Sequence, residues 1–205
     1  FDGKTFKNYD ENNGLVDNRI WDLTVDSKNN IWMATDGSGV QMYDGKNFIH
    51  HSVTDGVTAG ETFGIYADDF DNIWVGTFGG GVCYFDGKVW NSIDSRDGVL
   101  QDLIGPIEGI DGNKYWFGSE NGITVYTPKR SVPNVNLSKI KTPSEVFDNF
   151  NNFKIEDHSF LKDSRITFFL NSNSYNTRKE KQKYLISTIH DNKKNTEIIT
   201  TNQFE

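Results

Sequence analysis

Short apolar segments separated by turn-forming residues organise the first 128 residues of the chain. Residues 20–25, 31–35 and 40–43 are short and rich in apolar and β-branched residues, which predicts three strands. The hairpin signal Asp44-Gly45-Lys46 leads into a fourth strand at residues 47–52. No segment before residue 140 has the apolar period of an amphipathic helix. The pattern predicts a unit of four antiparallel strands, named a to d, joined by tight turns.

This unit recurs every 42 residues. Its clearest landmarks are Ile31-Trp32, Ile73-Trp74 and Tyr115-Trp116. Further landmarks in the same phase are Gly14-Leu15, Gly56-Val57 and Gly98-Val99, and Phe1-Asp2-Gly3-Lys4, Tyr43-Asp44-Gly45-Lys46 and Phe85-Asp86-Gly87-Lys88. The second copy is predicted at residues 62–67, 73–77, 82–85 and 89–93. A four-stranded repeat of this length is typical of a β-propeller blade, so the first 128 residues are predicted to be all-β propeller blades.

Three blades are too few for a ring, which needs about four to eight. The third copy begins near Leu103 and reaches strand c at residues 123–126, and it lacks strand d because Pro128 and Pro133 interrupt the chain. Thr5–Tyr9 is predicted to be strand d of a preceding blade. We therefore expect either a piece of a larger propeller or self-association through the open blade faces.

The second copy carries a family signature. Residues 72–82, which run Asn-Ile-Trp-Val-Gly-Thr-Phe-Gly-Gly-Gly-Val, resemble the two-component regulator propeller repeat. The first copy departs from that repeat at Ala34, where the family has glycine. The WD signature of another propeller family is absent, because Trp21-Asp22 aligns with Phe63-Gly64 and Gly105-Pro106. The resemblance implies the sensor region of a bacterial hybrid histidine kinase, on the periplasmic or extracellular side of the inner membrane.

The residues after the repeats have a different pattern. Residues 129–133 are predicted to form a linker, and strands are predicted at 135–140, 164–170 and 184–189. The order Asp-Ser-Arg-Ile-Thr-Phe-Phe, then Ser-Tyr, then Lys-Tyr-Leu-Ile is similar to the opening half of the Ig-like domain that follows these propellers in sensor proteins. The resemblance implies an incomplete Ig-like β-sandwich over residues 134–205, with a membrane helix further along the parent chain.

Charge and composition narrow the function classes. The chain has 21 Lys and Arg against 29 Asp and Glu, a net charge of −8, which argues against a nucleic-acid partner because phosphate binding needs clustered basic residues. The basic residues at 178–183 are interpreted as a solvated hairpin tip. No apolar run is long enough to span a membrane, so no membrane contact is expected within this segment. The single cysteine, Cys83, excludes an internal disulfide and is predicted to be a buried packing residue.

The topology of a blade predicts where a ligand would bind. In an up-and-down blade, the d–a and b–c connections emerge on one face and strand a lines the central channel. Residues there differ between copies while the Trp and Gly landmarks do not, as on a ligand face built on a rigid scaffold. The candidate ligand-binding residues are Asn18, Arg19, Asp36, Glu61, Thr62, Phe78, Gln101, Asp102 and Glu120. Solvent loops that vary without a function remain the alternative.

The repeated tryptophans have a structural interpretation. Trp32, Trp74 and Trp116 are predicted to form the core between blades, since each blade must bury a face against its neighbour. A sugar-stacking platform is the weaker alternative.

The acidic residues of the a–b turns and the histidine pair also have structural interpretations. Asp26, Asp69 and Asp111 are predicted to cap these turns through hydrogen bonds to backbone N–H groups, with calcium at residues 69–72 as the weaker alternative. His50-His51 lies on a strand, where adjacent side chains point to opposite faces and cannot chelate one ion. No metal and no cofactor are expected.

The resemblance implies that this segment senses a ligand or transmits its signal, with oligosaccharides as the ligands and no catalytic residue. Two alternatives stay open. One is a propeller enzyme of the lyase or glycosidase kind with paired acids at the channel mouth, for which the candidates are Asp22, Glu61, Asp102 and Glu108. The other is a protein-interaction platform, which an exposed apolar patch would indicate.

Overall fold

A computed structural model describes residues 3–111, 113–128, 135–142, 146–147, 167–172, 184–190, 193–199 and 203–204. The described chain is all-β apart from two short 3-10 turns, as the sequence predicted. It divides into two compact units, residues 1–129 and 130–205. No helix in the described ranges has the length and apolarity needed to cross a bilayer.

Two complete blades form most of the first unit. The first is an antiparallel sheet in the order β1-β2-β3-β4, formed by Ile20–Val25, Ile31–Thr35, Val40–Tyr43 and Phe48–His51. The second has the order β5-β6-β7-β8, formed by Thr62–Ala67, Ile73–Thr77, Val82–Phe85 and Trp90–Ile93. These bounds lie within one residue of the predicted ones. Because consecutive strands pair as hairpins, strand a lies at one edge of each sheet and strand d at the other.

A 3-10 turn follows strand d in both complete blades. The turns are Val53–Asp55 and Ser95–Asp97, and a capping box closes each of them. Each ends on a glycine with φ of 108°, Gly56 or Gly98. Glycine adopts this left-handed conformation without steric cost, which explains why glycine recurs at this landmark.

The third blade has three strands, β9 (Ile107–Ile110), β10 (Lys114–Ser119) and β11 (Gly122–Tyr126), in the order β11-β10-β9. Within the described residues no fourth strand pairs with β11, as predicted. The prediction of a strand at Thr5–Tyr9 was wrong, since this segment lies outside the described sheets. A strand d needs its own strand c beside it, and this sequence holds none before residue 5.

Two apolar clusters fill the spaces between successive blades. The first, between blades 1 and 2, includes Trp32, Val40, Ile65, Ile73, Cys83 and Trp90. The second, between blades 2 and 3, includes Trp74, Val82, Ile107, Tyr115 and Phe117. Cys83 is fully buried, as the sequence predicted. Each blade therefore buries one face of the blade before it.

The three landmark tryptophans differ in burial. Trp32 and Trp74 are 4% and 2% exposed and pack in the two clusters. Trp116 is 39% exposed, so the prediction that it forms core was wrong for this copy. The tryptophan of strand b is covered by the following blade, and the described residues include no blade after the third.

An aspartate in the a–b turn holds each buried tryptophan. In blade 1, the Asp26 carboxylate accepts hydrogen bonds from the Trp32 indole N–H at 3.0 Å and from the backbone N–H groups of Lys28 and Asn30 at 2.9 Å each. The predicted capping role of Asp26 is confirmed. The predictions for Asp69 and Asp111 were wrong by one residue, because the equivalent positions are Asp68 and Ile110.

Asp68 links the second blade to the third. Its carboxylate accepts from the Trp74 indole N–H at 2.9 Å and from the Tyr115 hydroxyl at 2.6 Å. Burial opposes ionisation of Asp68, but the hydrogen bonds from Tyr115, Asn72 and Trp74 outweigh it and hold the pKa below its usual value. The carboxylate is therefore an ionised acceptor at neutral pH.

His51 lies in an aromatic setting between blades 1 and 2. Its ring stacks on Trp32 with centroids 5.4 Å apart and contacts Phe85 and Trp90 at 5.3 and 5.7 Å. The Trp90 indole N–H donates to its Nδ1 atom at 3.4 Å. Burial lowers the pKa of His51, the attraction of Asp55 opposes that shift, and His50 adds to it. His50 instead contacts the carbonyl oxygen of Ser38, so the two histidines have different partners, as expected.

The second unit contains two separate sheets. One has the order β13-β12-β14-β17, and its strands are β12 (Val135–Lys141), β13 (Val146–Phe147), β14 (Thr167–Ser172) and β17 (Gln203–Phe204). The other is a hairpin of β15 (Tyr184–His190) and β16 (Lys193–Ile199). The three predicted strands overlap β12, β14 and β15. The Ig-like assignment stays a prediction, and the predicted linker at 129–133 and basic loop at 178–183 lie outside the described residues.

Replacing Asp68 with alanine should destabilise the first unit by about 1–3 kcal/mol, because the buried donors of Trp74 and Tyr115 lose their acceptor. Urea denaturation followed by tryptophan fluorescence measures this loss. Asp69→Ala is the matched control, since Asp69 is the exposed neighbour, and it should change the free energy by less than about 0.5 kcal/mol. Equal losses for the two variants would contradict the assignment of the capping role to Asp68.

The setting of His51 predicts a pH dependence of stability. Because the folded-state pKa is below the model value of 6.5, its contribution is complete above about pH 6.5 and is lost as the pH falls towards the folded-state pKa. His51→Phe should therefore lose less stability than the wild type between pH 7.5 and 5.5, measured by urea denaturation at each pH. His50→Gln is the control and should retain the wild-type dependence. An unchanged dependence in His51→Phe would refute this account.

Candidate functional site

The innermost strands of successive blades are joined by hydrogen bonds. The Asp22 carboxylate of β1 accepts from the backbone N–H of Ile65 in β5 at 3.0 Å. The N–H of Gly64 in turn donates to the carbonyl oxygen of Gly105, which precedes β9, at 3.1 Å. These bonds fix the spacing of the three inner strands on the channel side of the blades.

A bulge interrupts strand a in each of the two complete blades. The pairing of β1 with β2 skips Trp21, and the pairing of β5 with β6 skips Phe63-Gly64. A bulge redirects a side chain relative to the regular alternation of the strand. Trp21 and Phe63 occupy equivalent positions of the repeat, so the same irregularity places an aromatic ring at the inner edge of both blades.

These rings form one wall of a groove. Trp21 contacts Phe63 edge to face with ring centroids 5.9 Å apart, and Phe63 lies 6.2 Å from Phe78. The groove has a volume of about 380 Å³, within the range of about 300–1,000 Å³ typical of small-molecule pockets. Its lining residues come from all three blades and are Trp21, Asp22, Phe63, Gly64, Leu103, Gly105 and Pro106. Trp21 is 58% exposed and Phe78 53%, so solvent reaches both rings.

Charged side chains lie on the chain beside this aromatic wall. The exposed Arg19 guanidinium forms ion pairs with Asp36 and with Asp17, the latter at 3.4 Å, and donates to the Asp36 carbonyl oxygen at 2.9 Å. The Asp36 N–H donates back to the Arg19 carbonyl oxygen at 3.1 Å. Arg19 is two residues before Trp21, so hydrogen-bonding charges and an exposed indole belong to the same strand entry.

Four of the predicted ligand residues lie where strand-a entries meet b–c turns. They are Arg19, Asp36, Glu61 and Phe78. Asp36 forms a β-bridge with Glu61, and Phe78 forms the equivalent bridge with Leu103 one blade later. The structure therefore brings the predicted residues of blades 1 and 2 together along a line that crosses the blade boundary.

Thr62 is placed differently from these four. It is fully buried, and its hydroxyl donates to the carbonyl oxygens of Thr35 and Gly39. It therefore supports the b–c turn and does not present its side chain on the ligand face.

The remaining predicted residues serve their own loops. The Asn18 side chain accepts from the Glu11 N–H at 2.9 Å. The Asp102 carboxylate accepts from the backbone N–H and hydroxyl of Ser95 at 2.6 and 3.0 Å. Gln101 accepts from Asn121 at 2.5 Å, while Glu120 is exposed. A ligand role for these residues stays a prediction.

Sequence reasoning missed the apolar part of the groove, namely Trp21, Phe63, Leu103 and Pro106. An aromatic residue recurs at positions 21 and 63, but in the sequence these positions count only as a missing WD signature. Leu103 is the 42-residue equivalent of Arg19 and Glu61. The prediction for the third copy, Gln101 and Asp102, therefore falls one or two residues early.

The candidate carboxylates have structural partners. Asp22 and Asp102 both accept hydrogen bonds from backbone N–H groups, which ties up the acids proposed for catalysis. Asp71, in the segment considered for calcium, accepts from the N–H and hydroxyl of Ser27 at 2.9 and 2.7 Å and so joins two a–b turns. Over the ranges that the structure describes, no three His, Cys, Asp or Glu side chains form a group able to hold a metal ion.

The blades, their inner strands and the groove define a β-propeller segment. A family model described as "Two component regulator propeller" matches residues 14–37, which run from the first glycine landmark through β1 and β2 into the following turn. The chain therefore carries the two-component regulator propeller repeat, as the sequence predicted. No curated protein matches the chain in sequence.

Solved structures support the same fold. Two crystal structures of the extracellular domain of BT4673 from B. thetaiotaomicron, described as a one-component and as a hybrid two-component system, are 21% and 19% identical to this chain, with TM-scores of 0.50 and 0.51. They align with 76% and 94% of this chain. The chain spans only 22% and 26% of their length. The extracellular domain of BT3049, a hybrid two-component system of the same organism, is 15% identical over 97% of this chain and 35% of its own, with a TM-score of 0.40.

Gly64 should be essential to the shape of the groove. A Cβ atom at this position would lie 2.3 Å from the carbonyl oxygen of Gly105, so Gly64→Ala should force β5 and the third blade apart and cost about 1–3 kcal/mol of unfolding free energy. Gly105→Ala is the matched control, because the nearest atom to its added Cβ is 3.9 Å away. Urea denaturation of both variants is the measurement. A destabilisation of Gly105→Ala as large as that of Gly64→Ala would contradict the close approach.

Proposed function

We infer that this chain is the ligand-binding part of an extracytoplasmic bacterial sensor, that it binds oligosaccharides in the aromatic groove, and that it does no catalysis itself. The observation that carries the proposal is the groove formed by Trp21, Phe63 and the start of the third blade, beside the Arg19–Asp36 ion pair. The regulator propeller repeat supports the signalling context. The extracellular location given for the similar BT4673 domain supports the extracytoplasmic side.

The chemistry of the groove suits a carbohydrate. An exposed indole offers a flat apolar face for the C–H groups of a sugar ring, and the ring edges of Phe63 and Phe78 extend this surface. Sugar hydroxyls need polar partners, which the guanidinium of Arg19 and the carboxylates of Asp36 and Glu61 supply. Both signs of charge are present, so a neutral oligosaccharide finds donors and acceptors without burying an unpaired ion.

The position of the groove gives ligand binding a way to affect structure. Trp21 belongs to blade 1, Phe63 to blade 2, and Leu103 and Pro106 to blade 3. A ligand that contacts all of them favours one spacing of the inner strands over another. A ligand can shift a conformational equilibrium only through such differential contacts, and this groove supplies them across two blade boundaries.

Trp21→Ala should reduce oligosaccharide affinity at least tenfold, because the indole is the largest exposed apolar surface in the groove. Isothermal titration calorimetry with size-fractionated oligosaccharide pools from polysaccharide digests measures the affinity. Phe70→Ala is the matched control: Phe70 is similarly exposed but belongs to an a–b turn, at the other end of the blade. It should bind as the wild type does.

Two results would overturn the proposal. If no pool binds the wild-type chain, the chain does not bind oligosaccharides. If a pool binds equally well to the wild type and to Trp21→Ala, the binding site lies elsewhere.

A further inference from the structure

The outer face of the third blade carries the apolar set that the other two blades bury. Trp116, Ile123 and Val125 are exposed. Their equivalents are Trp32, Val40 and Met42 in blade 1 and Trp74, Val82 and Tyr84 in blade 2, and these pack in the two clusters between blades. The internal repeat therefore states what covers this face: the leading face of another blade.

The leading face of the first blade is the complementary surface. Ile65, Ala67 and Ile73 of blade 2 are the residues that cover Trp32 and its neighbours. Their equivalents in blade 1 are Leu23, Val25 and Ile31, which are exposed. One chain thus displays both halves of a contact that it makes twice internally.

The free edge of the third blade points to the same occupant. In the described part of the chain, β11 pairs with β10 alone and lacks the strand d of blades 1 and 2. Residues 3–9 contain the Gly-Lys-x-Phe pattern that opens strand d in the other copies, yet they lie outside the described sheets. In the repeat, this segment comes directly before blade 1 and pairs with the blade before it.

We propose that two copies of this chain associate head to tail, with the leading face of blade 1 of one copy packed on the outer face of blade 3 of the other. Residues 3–9 of the second copy then pair with β11 as the missing strand d. The same arrangement repeated in the opposite sense places six blades in one ring, within the usual range of about four to eight. The contact is heterologous, and closure of the ring limits the assembly to two copies.

The test is sedimentation equilibrium of the full 205-residue chain and of two variants. The wild type should have twice the monomer mass of 23.3 kDa. Trp116→Asp and Leu23→Asp each spoil one half of the contact, so each alone should be monomeric. Their equimolar mixture should recover a dimer, because the intact blade 1 face of the first variant meets the intact blade 3 face of the second. Val53→Asp is the control, since Val53 is an exposed apolar residue of a 3-10 turn, and it should stay dimeric.

Three outcomes would overturn the proposal. A monomeric wild type would remove it. A dimeric Leu23→Asp variant would mean that blade 3 faces pack on each other, and a mixture that stays monomeric would mean that the two faces are not complementary. Because Trp116 and Leu23 are exposed in the single chain, both variants should keep the wild-type far-ultraviolet circular dichroism spectrum.

Discussion

The contact of a strand-b tryptophan with the next blade is the interaction on which the first unit depends. Trp32 and Trp74 fill the spaces between blades, and an aspartate carboxylate six residues earlier holds each indole N–H. This bond satisfies a buried polar group and closes the a–b turn at the same time. The carboxylate of Asp68 also receives the hydroxyl of Tyr115 from the following blade, so one side chain connects turn, core and neighbour.

The groove follows from this packing. Once the blades are held at a fixed spacing, their inner strands meet and bond through Asp22 and Gly64. The regular alternation of strand a would leave these edges without an outward aromatic ring. The bulges at Trp21 and Phe63 break that alternation and supply the groove wall. Structure and candidate site are thus separated within each strand: the residues near Asp22 join the blades, and the bulged residue beside it faces solvent.

Local signals were sufficient to predict the strands of the blades. Short apolar runs bounded by Asp-Gly turns predicted the strands of blades 1 and 2 to within one residue, because each hairpin depends on nearby residues only. Burial of Trp116 was mispredicted because it depends on a neighbouring blade, which the identity of the residue does not reveal. Asp68 was missed in favour of Asp69 because two adjacent aspartates are indistinguishable without the register of the turn. The groove was missed because a bulge is a pairing irregularity and leaves no periodic trace in the sequence.

The central claim is that Trp21 belongs to a ligand site while the other tryptophans are structural. The five indole N–H signals of a ¹⁵N-labelled sample report on Trp21, Trp32, Trp74, Trp90 and Trp116 in one spectrum. Addition of a binding oligosaccharide should shift the Trp21 signal and leave those of Trp32 and Trp74 in place, since their N–H groups are bound to Asp26 and Asp68. A ligand that shifts the Trp116 signal and not that of Trp21 would contradict the account.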